Sequence, residues 1–152
     1  IKGSGLVVTG TAFSGQVSLG DSLWLTGSDS PVRVRSLHAQ NAPVTNAGAG
    51  QRIAVNIVGD TSKQQIERGD WLVSDRPPFS VDRVLAELTS DRPIHHWQSV
   101  HFHHAANHVT GRVSLLEHGG NERGQTQLAE LVLDKPLFFA DNDRFNIRDI
   151  SV

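Results

Sequence analysis

Apolar and polar residues alternate along this chain in short runs, and glycine, proline, aspartate or asparagine breaks each run before it lengthens. A period of two puts successive side chains on opposite faces of a strand, so the pattern predicts strands and no long amphipathic helix. In the first half the runs are Leu6–Thr9, Ser22–Leu25, Val32–Arg35, Ile53–Ile57 and Trp71–Val73. Gly20-Asp21 and Gly69-Asp70 precede strands as tight turns do. The second set is Val84–Leu88, Val100–His103, Arg112–Leu116, Ala129–Leu133 and Phe145–Arg148, with a mobile hairpin loop predicted over His118–Gly124. Arg76-Pro77-Pro78-Phe79 separates the sets, and adjacent prolines cannot join a central ladder. The expected architecture is all-β: a first domain over 1–75, a linker over 76–80 and a second domain over 81–152. Each is expected to be a small antiparallel β-barrel, because closure removes exposed sheet edges.

Composition narrows the chemistry. An apolar fraction of 38% over 152 residues permits a packed core without staples. The absence of cysteine excludes disulfides, thiolate metal sites and a cysteine nucleophile. No apolar run reaches the length of a membrane span and no signal peptide opens the chain, so a cytoplasmic protein is expected. The start at Ile1-Lys2-Gly3, without methionine, suggests a piece of a longer protein. The formal charge is −2, from 14 basic and 16 acidic residues, which makes any nucleic-acid contact a matter of a local patch. Seven of the eight histidines lie after Arg76, where their charge depends on their surroundings.

Catalytic motifs are missing. There is no GxxxxGK[ST] phosphate loop, no GxSxG elbow and no HExxH helix. His101-Phe102-His103-His104 is the most enzyme-like feature. Strand alternation puts His101 and His103 on one face, with Val100, Phe102 and His104 on the other. Two histidines on one face could hold a metal, but the spacing supplies no third or fourth ligand. The plainer reading is a polar outer face, with His104 packed inside and hydrogen-bonded.

Gly5-Leu6-Val7-Val8-Thr9-Gly10, then Val17-Ser18-Leu19-Gly20-Asp21, Val32–His38, Ala49–Ile57 and Ile66–Leu72 occur in one order. That ordered set resembles domain 2 of elongation factor Tu-like translational GTPases. His108-Val109-Thr110-Gly111, Lys135-Pro136-Leu137 and Arg144–Asp149 are similar to domain 3 of the same factors. His38-Ala39-Gln40-Asn41, His103–Ala106, His108–Glu117 and Asp141–Arg144 resemble the bacterial selenocysteine-specific branch in particular. The resemblance covers nearly the whole chain. It implies translation-factor domains 2 and 3 that bind an aminoacyl-tRNA and are not themselves an enzyme. No cofactor is implied in this chain; GTP and Mg2+ would belong to a GTPase domain preceding Ile1. A region beyond Val152 would bind an mRNA hairpin. The implied partners are selenocysteyl-tRNA, the ribosome, that hairpin and the factor's own GTPase domain, with no membrane. The implied task is GTP-dependent delivery of selenocysteyl-tRNA at recoded UGA codons.

The same resemblance assigns residues. Arg52 stands where elongation factor Tu has an asparagine near the esterified amino acid, and an arginine there puts a permanent cation beside the substrate side chain. The rival role for Arg52 is a pair with a surface carboxylate. An Asp-Arg pair that completes the family's pocket would lie before Ile1. His38 and Val55 fall near the pocket for the 3′-terminal adenosine, where an imidazole can stack on a base. Gln40 competes with His38 for that role, and His38 reads equally well as a half-buried strand residue. In the second domain His101, Thr110, Lys135, Arg148 and Asp149 are implied contacts of the tRNA T stem. For Arg148 the rival is an internal salt bridge with Asp149 or Asp143. Trp24, Trp71 and Trp97 suit packing and receive no function. Three other readings remain open: the domains of another translational GTPase, a metal-dependent β-barrel enzyme using the histidine strand, and an interaction module without an RNA role.

Overall fold

The computed structural model describes residues 5–26, 31–59, 66–116 and 123–150. Ile1-Lys2-Gly3 and most of the predicted hairpin loop, His118–Glu122, lie outside the described residues. The chain divides into two compact units, Ile1–Pro77 and Pro78–Val152.

In the first unit the strands are β1 (Leu6–Thr11), β2 (Gln16–Ser18), β3 (Ser22–Leu25), β4 (Pro31–Ala39), β5 (Ala42–Val44), β6 (Asn46–Gly48), β7 (Arg52–Val58) and β8 (Leu72–Val73). Every pairing is antiparallel, in the order β1-β7-β4-β3-β8 with β5 beside β4. β2 and β6 form a separate two-stranded ribbon. Val32, Val34 and Leu37 of β4 and Ile53, Val55 and Ile57 of β7 turn inward together, with Ala39 and Ala47. Burying each of the large aliphatic side chains stabilises the unit by about 1.5–3 kcal/mol.

The second unit has β9 (Val81–Thr89), β10 (Gln98–His104), β11 (Asn107–Leu115), β12 (Thr126–Leu137) and β13 (Asn146–Asp149). One antiparallel sheet takes them in the order β13-β10-β11-β12-β9. Phe102, Val113, Ala129 and Leu131 are fully enclosed in its core. Phe145 and Phe139 pack on Phe102 with ring centroids 4.9 and 5.9 Å away.

The expectation of two closed β-barrels is overturned. Among the described residues each large sheet is an open path: β1 and β8 end the first, β13 and β9 the second. Closure had been argued from the danger of exposed edges, but short or charged edge strands answer that danger as well. β8 has two residues and β13 four, while β9 carries Asp82, Arg83 and Glu87.

Candidate nucleic-acid interface

Two turns and one bulge build a cleft in the first unit. The β4–β7 register runs Arg33↔Val58, Val34↔Ile57 and then Ser36↔Asn56, so Arg35 is an extra residue. Strict alternation from Val32 and Val34 would bury His38. The bulge reverses the parity, so Leu37 and Ala39 are buried and His38 is exposed. One residue further the β4–β5 hairpin turns through Gln40 (φ 50°) and Asn41 (φ 60°). Two consecutive left-handed residues match the strand twist as a type I′ turn does, yet glutamine is an uncommon occupant of that conformation.

The second turn is Gly48–Gln51. Gln51 N donates to Gly48 O (3.2 Å), Gly48 N donates to the Gln51 side-chain oxygen (2.7 Å), and Gly50 takes φ 87°. Gly50 N donates to Ala12 O (2.7 Å) and Ala12 N to Gln51 O (2.9 Å), which ties the turn to the chain beyond β1. Arg52 follows at once as the first residue of β7, opposite Thr11.

Between the turns lies a cleft of about 610 Å3 lined by Thr9, His38, Gln40, Asn41, Gln51, Arg52 and their neighbours. Thr9, Ala54 and His38 form one cross-strand row over β1, β7 and β4. Arg52 is exposed at its rim, and no ion pair of Arg52 occurs among the described residues. The cleft therefore offers a permanently charged guanidinium near an imidazole and an amide, a set suited to an anion next to a planar, hydrogen-bonding group. Val55 lies elsewhere. It is 4% exposed, pairs with Val8 and Leu37, and faces the core beneath the cleft.

In the second unit β10 alternates as its sequence predicts. Val100, Phe102 and His104 are buried, and His101 and His103 turn outward. His104 Nε2 lies 2.9 Å from Asp143 Oδ2, and the same oxygen accepts the Ala140 amide at 2.9 Å. The plain reading of His104 holds.

Cross-strand neighbours assemble the outer face. Arg148 of β13, His101 of β10 and Thr110 of β11 lie in one row, and the Thr110 hydroxyl donates to Asp134 of β12. Lys135 is exposed next to Asp134, where the β12–β9 register shifts. Asp149 is not brought to this row. It pairs with Val100, a core residue, and alternation sends it to the other side from Arg148. Asp143 is engaged by His104, so neither carboxylate proposed as the internal partner of Arg148 shares its face.

His108 was missed as a site residue. It stands opposite His103, and their rings stack at 4.4 Å and 8°. Its Nε2 lies 3.0 Å from His101 Nδ1. The signal was available: a two-residue turn at Ala105-Ala106 pairs His104 with Asn107 and therefore His103 with His108. Partial burial, then His108, His101 and Arg148, hold the His103 pKa below its ordinary value of 6.5. Among the described residues no group of three or more His, Cys, Asp or Glu is arranged to hold a metal. No helix among them is long and apolar enough to cross a membrane.

Comparison with known proteins separates the two units in the same order. Residues 5–73 match the family described as elongation factor Tu domain 2, and residues 81–152 match the selenocysteine-specific elongation factor, beta-barrel domain. The selenocysteine-specific elongation factor of Escherichia coli K12 is 61% identical over 151 residues, which is 99% of this chain and 23% of that protein. The chain belongs to the selenocysteine-specific elongation factor family. The factor of the same name from Haemophilus influenzae is 38% identical over 97% of the chain and 24% of its own length. A solved structure, translation elongation factor SelB from Methanococcus maripaludis in complex with the GTP analogue GPPNHP, superposes with a TM-score of 0.80. That structure is 26% identical and covers 100% of this chain and 37% of its own. The chain thus spans about a quarter of the length of the curated selenocysteine-specific elongation factors it matches.

Proposed function

We propose that this chain is the aminoacyl-tRNA-holding part of a selenocysteine-specific elongation factor, with residues 1–75 and 81–152 as its two domains and 76–80 as linker. The cleft around Arg52 receives the esterified selenocysteine and, beside His38 and Gln40, the 3′-terminal adenosine; Val55 supports its floor. The outer face of the second sheet contacts the T stem through His101, Thr110, Lys135 and Arg148, and Asp149, on the other side of the sheet, reaches the RNA only past the end of its strand. In the whole factor a GTPase domain would hold GTP and Mg2+ and drive delivery of selenocysteyl-tRNA to the cytoplasmic ribosome at recoded UGA codons, and a further region would bind the mRNA hairpin. No reaction is assigned to these residues.

One observation carries the reading: a guanidinium with no ion pair among the described residues, at the rim of a cleft that an imidazole and side-chain amides also line. A selenol ionises more readily than a thiol, so selenocysteine is an anion near neutral pH while the serine of its precursor tRNA stays neutral. Once the aminoacyl end covers it, a cation at the rim favours the selenolate and gains little from a hydroxyl. The test uses the full-length factor in its GTP state, as Arg52 or Arg52→Ala, and measures affinity for selenocysteyl-tRNA and for the same tRNA carrying serine. The variant should lose at least about tenfold of the preference, which corresponds to about 1.4 kcal/mol, while seryl-tRNA affinity holds. Affinities for both tRNAs left unchanged by the substitution would make Arg52 structural.

A further inference from the structure

Three imidazoles crowd the outer face of the second sheet. His103 and His108 stack face to face, and the hydrogen bond between His108 Nε2 and His101 Nδ1 requires one of those two nitrogens to carry no proton. Around them the charged groups are unevenly signed. β13 contributes Arg148, directly opposite His101, and Asn146, opposite His103. From β11 come His108 and Arg112, the latter lying over the Trp97 ring at 5.8 Å. The acid nearest in the ladder is Asp134 of β12, which already accepts the Thr110 hydroxyl; Asp149 projects from the other face. No carboxylate of the described residues is hydrogen-bonded to His101, His103 or His108. The cluster is thus a set of latent cations beside a permanent one, with no carboxylate hydrogen-bonded to it among the described residues.

We infer that His101, His103 and His108 form a proton-linked phosphate site, which charges as an RNA backbone settles across β10 and β11. This rests on the reading of that face as an RNA-contact surface and adds His103 and His108 to it.

The physics is linkage. In the free chain partial burial, then repulsion by the charges of His108, His101 and Arg148, hold the His103 pKa below its ordinary value. A phosphate over the cluster replaces that repulsion with attraction and favours the charged form. The RNA-bound state then binds more protons than the free state, so affinity rises as pH falls through the imidazole range. Arg148 supplies the part of the attraction that does not depend on pH. Stacked rings also widen the cationic surface, so that neighbouring phosphates along one strand can share it.

The experiment follows the His103 ring resonance of the 152-residue chain against pH, alone and with an RNA duplex of about one helical turn, and measures RNA affinity at about pH 8 and about pH 5.5. The His103 midpoint should rise when RNA is added, and affinity should increase about fivefold or more toward the lower pH, as a shift approaching one unit in a single group dictates. A His103→Gln, His108→Gln double variant should lose most of that gain. His95→Gln, a change at an exposed turn residue outside the face, should keep it. RNA binding with an unmoved His103 midpoint and no pH gain would overturn the inference and leave the RNA reading standing. Absence of RNA binding at either pH would remove both. A shift with inorganic phosphate as large as that with RNA, at equal phosphate concentration, would make this a free-anion site and overturn the assignment to an RNA backbone.

Discussion

At Gly111, between Val100 of β10 and Leu133 of β12, an added Cβ would stand 2.7 Å from the Val132 carbonyl oxygen and 3.2 Å from Leu133 Cδ2. The nearer atom is backbone in a ladder and cannot swing aside. Gly111→Ala is therefore expected to destabilise the second unit by about 1–3 kcal/mol through overpacking. A lowered denaturation midpoint with unchanged slope would show it; an unchanged midpoint would mean the ladder has slack at this point. Thr110 and Arg112 flank this glycine on the outer face, so the tight ladder also holds the residues of the site in place. Single-residue readings succeeded where plain alternation holds. His101 and His103 face out and His104 faces in because β10 runs without a bulge. His38 could not be oriented that way, since the extra residue at Arg35 leaves no mark in the apolar pattern. Val55 was grouped with the cleft by position along the chain, whereas the pleat turns it to the core.

At the scale of elements, β8 is the weak edge of the first sheet and depends on a side chain to extend its pairing. Beyond Leu25↔Leu72, Thr26 N donates to Trp71 O (2.9 Å), and Trp71 N donates to the Thr26 hydroxyl (2.8 Å). Thr26 is 2% exposed, so water cannot replace its oxygen. Thr26→Val preserves shape and removes the acceptor, which should cost about 1–3 kcal/mol and accelerate exchange of the Trp71 amide. Exchange at the parental rate would show that β8 is held by packing alone. Strands with a long apolar rhythm, such as Ile53–Ile57 and Ala129–Leu133, were legible before the structure. Gln16–Ser18, Ala42–Val44 and Asn46–Gly48 were not, because three residues cannot display a period and Pro43 argues against a strand. Sheet closure was not legible either. It was deduced from the cost of open edges, and that cost also falls when an edge is two residues long or carries charges.

At the scale of the whole molecule, a chain of formal charge −2 that binds RNA must do so through a small basic area. On the proposed T-stem face Lys135 and Arg148 are the permanent cations assigned to RNA, Arg112 lies over the Trp97 ring, and Asp134 is close by to oppose them. Neutralising about two phosphates predicts a log–log dependence of affinity on salt with slope of roughly −1.5 to −2 above the imidazole range. Lys135→Ala and Arg148→Ala should each make that slope shallower by about one unit while weakening binding regardless of RNA sequence. A slope steeper than about −5 would require a far broader basic surface than this face offers and would relocate the RNA to another part of the molecule. Below the imidazole range the histidine cluster should steepen the slope, because newly charged rings release further counterions. Measured at two pH values, the salt slope therefore counts the fixed cations and the proton-linked ones separately. A local patch carrying both kinds would let an acidic chain hold RNA, and would give a role to three of the seven histidines that lie beyond Arg76.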